Sequence, residues 1–233
     1  MSSGRRASWS VVCDFDGTVS EKDVTDSLLQ RFAQPGWQEL EAQWEAGRIG
    51  SRACMAGQVA LLDCTKDELD AHVAGLSIDP RFRSFVEAVR AEGASLTIAS
   101  DGLGEVIAAM LARVGLAHLP VRASRLVQTG PRRWALEFPH ARADCISAGA
   151  TCKCACLRSD AAQPALLVGD GASDFCAATR ADLTFAKSRL LDHCAVLGVP
   201  HRPIRDFGDA LLAWRELVDD GLETAVLPSE GAA

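Results

Sequence analysis

Residues 11 to 19, Val-Val-Cys-Asp-Phe-Asp-Gly-Thr-Val, constrain this chain more than any other stretch. The apolar run from Trp9 to Cys13 is too continuous for a half-exposed strand, so it predicts a central strand buried on both faces. It runs straight into Asp14 and Asp16, carboxylates on alternate residues of an extended segment that therefore point the same way. Gly17 then allows a sharp turn and a close backbone approach to a ligand. The pattern recurs twice. Ala94 to Ala99 is a second buried run, stopping at Ser100-Asp101-Gly102, and Pro164 to Val168 a third, stopping at Gly169-Asp170-Gly171.

Helical periods fill the intervals. Ser20 with Asp23 predicts an N-terminal cap, followed at helical spacing by Val24, Leu28, Leu29 and Phe32 until Pro35-Gly36. Trp37, Leu40, Glu41 and Trp44 continue the period to Gly47; Ser51 to Leu62 and Thr65 to Val73 predict two more helices, the last capped by Thr65. Further helices are expected over Pro80 to Ala91, Glu105 to Val114, Ala172 to Arg180, Leu190 to Leu197 and Phe207 to Val218. Val121 to Phe138 predicts a hairpin about Thr129-Gly130-Pro131, Leu183 to Ala186 a short strand, and the tail after Leu227 a frayed end. This alternation predicts an α/β fold: a Rossmann-like, mostly parallel sheet with helices on both faces. The core is expected from residues 1–19 and 76–233, with 20–75 inserted as a helical cap. Ligands of such sheets bind beyond the carboxyl ends of the strands, so Asp14, Asp16, Ser100, Asp170 and Asp174 should converge there.

Composition removes several classes of function. A net charge of −7 argues against a general nucleic-acid binder or a protein held on anionic membranes. The apolar run after Met1 to Ser8 is too short for a signal peptide, and no stretch approaches the roughly 18 apolar residues of a membrane span, which predicts a cytoplasmic protein. Its 233 residues allow one core and a modest second lobe, as a monomer or a homodimer. In a reducing compartment the nine cysteines are thiols or metal ligands. Cys145, Cys152, Cys154 and Cys156 cluster as candidates for Zn²⁺ or for redox-sensitive packing thiols, although they lack the two-residue gap of common zinc knuckles. His72, His118, His140, His193 and His201 show no ligand spacing.

An oxygen-rich set of carboxylates without a histidine cluster suits Mg²⁺ and phosphate. Asp14 can attack phosphorus to form an aspartyl-phosphate and Asp16 can protonate the leaving oxygen; Ser100, with its neighbour Asp101, and Lys153 are the phosphate-binding candidates, and Asp170 can hold the metal.

In these residues the chain resembles the haloacid dehalogenase superfamily of phosphatases. Asp14-Phe15-Asp16-Gly17-Thr18 is similar to its first motif, Ser100 to its second, Lys153 to its third, and Gly169-Asp170-Gly171-Ala172-Ser173-Asp174 to its fourth. The resemblance implies Asp14 as nucleophile, Asp16 as acid/base, Mg²⁺ on Asp14, the Asp16 backbone carbonyl and Asp170, and Asp174 supporting the metal from behind. It also implies a small phosphorylated metabolite as substrate, closed over by the cap of the phosphoserine phosphatase-like branch. In that branch Asp23 matches the acid that reads a substrate amine, whereas Gln58 stands where an arginine reads the carboxylate; Arg48 and Arg52 are candidate substitutes. Phosphoserine and phosphocholine or phosphoethanolamine are therefore alternatives. The aromatic run from Trp37 to Trp44, the hairpin with Trp134 and Phe138-Pro139-His140, and Cys145 to Cys156 are more similar to the phosphatases of methionine salvage that act on 2-hydroxy-3-keto-5-methylthiopentenyl-1-phosphate. The second motif departs from that group: Ser100-Asp101-Gly102 replaces a serine followed by two glycines, placing a negative charge beside an anionic substrate. A binding scaffold without catalysis, or a thiol or zinc sensor on the same fold, is the competing class.

Overall fold

The structure, a computed structural model, describes residues 8–157 and 163–220, with backbone only at Asp220. The expected frayed tail after Leu227 and the first seven residues lie outside the described residues. Seven strands form one sheet: β1 (Ser10–Cys13), β2 (Ser95–Leu103), β3 (Val121–Gly130), β4 (Arg133–Glu137), β5 (Ala165–Gly169), β6 (Leu183–Ala186) and β7 (His201–Pro203), in the order β4-β3-β2-β1-β5-β6-β7. All neighbours are parallel except β3 and β4, the expected hairpin.

Side chains alternate across this sheet and build two apolar layers. Val11, Cys13, Leu96, Ile98, Leu166 and Val168 face one layer, filled by α5 (Phe82–Ala91), α6 (Gly104–Arg113) and α10 (Phe207–Asp220). Val12, Ala99, Ala165 and Leu167 face the other, filled by α7 (Lys153–Leu157), α8 (Phe175–Ala178) and α9 (Ser188–Leu197). Helices thus cover both faces, which is why the strands read as continuous apolar runs. Phe82 and Phe85 of α5 meet Phe207 of α10 at ring separations of 4.7 and 5.3 Å, and burying each ring contributes roughly 1.5–3 kcal/mol.

Between β1 and α5 lie α1 (Val24–Phe32), α2 (Trp37–Glu45), α3 (Ser51–Ala60) and α4 (Lys66–Ala74), with no strand among them. Thr65 and Glu68 close a capping box at the start of α4. Val24, Leu28, Leu29, Val59, Leu62, Leu69 and Val73 join the same apolar cluster as β1, so the insertion shares the core instead of building its own. The Trp37 and Trp44 stripe is less buried than a core stripe: α2 buries no residue fully.

Several boundaries differ from the sequence-based expectation. Asp23, not Ser20, caps α1, its carboxylate accepting the Asp26 N–H at 2.8 Å, while the Ser20 hydroxyl accepts from Gly17 N–H and donates to the Phe15 carbonyl. Strand β2 does not stop at Ala99 but continues to Leu103 through a shift of register against β3. Ala172 to Arg180 is not one helix: a single 3₁₀ turn, Ala172–Asp174, precedes the short α8. Strand β7 is additional, its three residues being too few for periodicity to reveal. Among the described residues no helix is long and apolar enough to cross a membrane.

Candidate active site

The register of the three central strands assembles the site. Cys13 lies level with Ile98 of β2 and with Val168 of β5, so the residues that follow in each strand emerge together at one edge. Asp14, Asp16, Ser100, Asp101, Asp170 and Ser173 line one cavity of about 150 Å³, whose opposite wall comes from the insertion through Asp23, Thr25, Asp26, Glu41, Trp44, Ser51, Cys54, Met55 and Gln58. Gly17 turns the chain at φ +69°, and a Cβ there would come within 2.8 Å of the Asp170 carboxylate. Gly102 is equally constrained, because a Cβ would overlap the carboxylate of Asp16.

Asp14 is buried. Its Oδ1 accepts the Phe15 N–H at 2.8 Å and lies 2.9 Å from Nζ of Lys153. The Lys153 ammonium, itself only 3% exposed, also donates to Oδ1 of Asp174 at 2.6 Å and to Oγ of Ser173 at 2.9 Å. Burial opposes the charge on Lys153, but Asp14, Asp174 and then Asp101 overcome it and hold the lysine above its ordinary range. Burial, then the charges of Asp174 and Asp170, push Asp14 well above the usual carboxylate range, with Lys153 only partly offsetting them. Asp16 is half-buried and its Oδ1 accepts the first N–H of α1, from Val24, at 3.0 Å; burial outweighs this bond and pushes its pKa up to about 6.

The acids also bring together oxygens that could hold a cation. Asp14, Asp170 and Asp174 each offer an oxygen within 4.8 Å of the others, the only such group of three or more metal-binding side chains among the described residues. Asp174 is already committed: Oδ1 to Lys153, and Oδ2 to the N–H groups of Asp170 and Gly171, both at 3.2 Å. It therefore holds the loop that presents Asp170, while Thr18 fixes Asp170 by a hydroxyl bond of 2.7 Å. Asp14 and Asp170 remain to face a hard cation, and this all-oxygen donor set suits Mg²⁺.

The remaining candidates divide: Gln58, Ser100 and Asp101 line the cavity, and Arg48 and Arg52 do not. Gln58 is buried and its amide donates to Glu41 at 2.8 Å, while Arg48 and Arg52 are exposed and neither lines the cavity. Ser100 is buried and its Oγ accepts the Gly102 N–H at 2.9 Å. Asp101, grouped by sequence with the phosphate binders, directs its carboxylate to the hydroxyl of Ser51 and the N–H of Thr151. The four clustered cysteines do not converge on a zinc site. Cys154 touches Cys176 at 3.2 Å between sulfurs, Cys145 contacts Ser147 at 3.4 Å, and Cys156 is buried against the second apolar layer. Helix α7 turns Cys154 and Cys156 to nearly opposite sides, because residues two apart on a helix face apart, whereas Cys145, Cys152 and Cys154 line one pocket with Cys176 without bringing three sulfurs within ligating distance of one another. Sequence reasoning missed Thr18, Ser173, Asp26 and Met55; Thr18 and Ser173 sit inside the recognised motifs, but only the fold shows which partner each meets.

A sequence model of the haloacid dehalogenase-like hydrolase family matches residues 11–179, a stretch carrying every residue of the cavity described above. The chain belongs to that family. Among curated relatives, a 2-hydroxy-3-keto-5-methylthiopentenyl-1-phosphate phosphatase of Brevibacillus brevis is 30% identical over 85% of this chain and 91% of its own length. A phosphatase of the same name from Geobacillus kaustophilus is 29% identical over 88% of this chain and 94% of its own. The fold of this haloacid dehalogenase-like hydrolase is shared with a phosphoserine phosphatase solved as a phospho-aspartyl intermediate analogue, at a TM-score of 0.68 and 17% identity over 89% of this chain and 99% of that one.

Proposed function

We propose that this hydrolase is a Mg²⁺-dependent phosphomonoesterase that cleaves a small phosphorylated metabolite through an aspartyl-phosphate on Asp14. The observation that carries the reading is the Lys153 ammonium placed 2.9 Å from a buried carboxylate at the end of β1. Oδ1 of Asp14 is held by Phe15 and Lys153, which leaves Oδ2 to form the bond to phosphorus as the bond to the leaving oxygen breaks. Asp16 gives its proton to that oxygen, then takes one from the water that hydrolyses the acyl phosphate. Lys153 and Ser100 hold phosphate oxygens as charge develops. Asp14, Asp170 and the Asp16 backbone carbonyl would hold Mg²⁺, which supplies charge neutralisation at the phosphoryl group. Residues 20–75 act as a cap over a core made of 1–19 and 76–233, and the free thiols fit a cytoplasmic setting.

For the substrate, the relatives' names and the cavity agree best with 2-hydroxy-3-keto-5-methylthiopentenyl-1-phosphate in methionine salvage. Its tail carries no carboxylate, and the cavity offers no arginine to bind one, which disfavours phosphoserine. Trp44, Cys54 and Met55 give a thioether tail polarisable neighbours. A second reading, phosphoethanolamine or phosphocholine, is favoured by Asp23, Asp26 and Glu41, which line the cavity without a basic partner. A panel of these four phosphomonoesters decides the substrate. Hydrolysis of p-nitrophenyl phosphate with Mg²⁺ tests the chemistry: Asp14→Asn should lower turnover about a thousandfold or more, and retained activity would overturn the mechanism.

A further inference from the structure

Asp101 presents a problem of charge. It stands near the end of β2 between Ser100, a proposed phosphate binder, and Gly102, yet among the described residues it has no basic partner within salt-bridge distance. Both of its oxygens have other partners. Oδ1 accepts the N–H of Thr151 at 2.7 Å, two residues before Lys153, and Oδ2 accepts the hydroxyl of Ser51, the first residue of α3 in the cap. Ser124 pins the strand at the same point by donating to the Asp101 carbonyl at 2.8 Å.

The contact continues along the cap seam. Ser51 Oγ also accepts the Ala150 N–H at 3.3 Å, and the Arg52 N–H donates to the Ala148 carbonyl at 3.3 Å. Gly50 lies so close to this loop that a Cβ would come within 2.8 Å of the Ala148 oxygen, and Ala148 itself is held at φ +45°. The loop from Ala148 to Thr151 is therefore sandwiched between the start of α3 and Asp101, and it ends on the catalytic lysine. Displacing α3 would remove one donor from the Asp101 carboxylate and leave the buried Ala150 N–H without an acceptor.

We propose that Asp101 is a positioning residue that couples the seating of the cap through Ser51 to the placement of Lys153 through Thr151. Its charge is directed into this latch instead of toward the phosphate, which explains how an acid is accommodated beside a phosphate-binding serine at the end of β2. The proposal rests on reading the insertion as a cap over a phosphatase site.

The test compares wild type, Asp101→Ala, Asp101→Asn, Ser51→Ala and the Asp101→Ala/Ser51→Ala double variant. It measures kcat and KM for p-nitrophenyl phosphate with Mg²⁺, and hydrogen exchange over residues 148–152 and over α3. Asp101→Ala should lower kcat/KM about ten- to a hundredfold, chiefly in kcat, and speed exchange in both segments. Asp101→Asn keeps an acceptor for Thr151 and should recover most of the loss. The double variant should be no worse than Asp101→Ala alone, because the two side chains act as one unit. Unchanged kinetics in Asp101→Ala, faster exchange in only one segment, or additive single effects would each overturn the coupling. If Asp101→Ala does not fold, Ser51→Ala decides: unaltered kcat and unaltered exchange over 148–152 overturn it. A wild-type protein that fails to hydrolyse p-nitrophenyl phosphate overturns the phosphatase reading instead, and the exchange data then judge the latch alone.

Discussion

Asp14 and Asp16 stand two residues apart, and the different roles proposed for them follow from different surroundings. Asp14 is buried against Lys153, whose ammonium favours its ionised, nucleophilic form and so works against the burial and the neighbouring acids. Asp16 is held by a helix N–H and, with its pKa pushed up to about 6, is placed to exchange a proton near neutrality. Asp16→Asn keeps an acceptor for the Val24 N–H and removes the proposed proton transfer. Hydrolysis of an alkyl phosphate, whose leaving oxygen needs that proton, should fall about 10²- to 10⁴-fold in steady-state assays. Hydrolysis of p-nitrophenyl phosphate, with its stable leaving anion, should fall much less. Equal losses on both substrates would argue that Asp16 only shapes the site.

At the scale of elements, the insertion is bound to the catalytic edge at two places. The N-terminus of α1 holds Asp16, and the N-terminus of α3 rests on the loop that leads to Lys153. Gly50 is the narrow point of the second contact. Gly50→Ala keeps a backbone conformation that any residue adopts but adds a methyl against Ala148. Such overpacking costs about 1–3 kcal/mol, to be read from urea denaturation, and should be accompanied by a drop in kcat/KM. Gly75→Ala at the end of α4, where the nearest atom would be a carbonyl at 3.4 Å, is the matched control and should leave kcat/KM unchanged.

For the whole molecule, the balance of charge at the site sets a dependence of stability on metal and pH. Burial and mutual repulsion raise Asp14, Asp170 and Asp16 above their ordinary values. A carboxylate whose folded pKa is raised stabilises the fold below its unfolded pKa, and this contribution is lost as pH rises through the folded value. These charges should therefore oppose folding of the metal-free protein near neutrality, and protons or Mg²⁺ at the site should relieve the same repulsion. Mg²⁺ at a hundredfold excess over its Kd should add about 2.7 kcal/mol of stability at neutral pH, visible as a rise in melting temperature over an EDTA-treated sample. The rise should shrink as the pH is lowered and the acids, raised above their ordinary range, take up protons. A shift that stays constant with pH would show that Mg²⁺ binds away from these acids.

The sequence by itself determined the class of fold, the order of most of its elements and the acids that meet at the strand ends. Three apolar runs, each broken by acids, hydroxyls and glycines, specify buried parallel strands with polar ends, and in such a sheet the register brings those ends together. That is why Asp14, Asp16, Ser100, Asp170 and Asp174 were legible from local pattern, whereas Lys153, at the start of a short helix, was singled out by the family resemblance. Tertiary structure decided what depends on direction. Whether Asp101 faces phosphate or cap, whether Cys152, Cys154 and Cys156 converge, and whether Gln58 reads a substrate or bonds Glu41 all turn on the rotation of a helix or the path of a loop. Spacing along the chain leaves that rotation open, because it is set by packing against residues distant in sequence, such as Ser51 against Asp101.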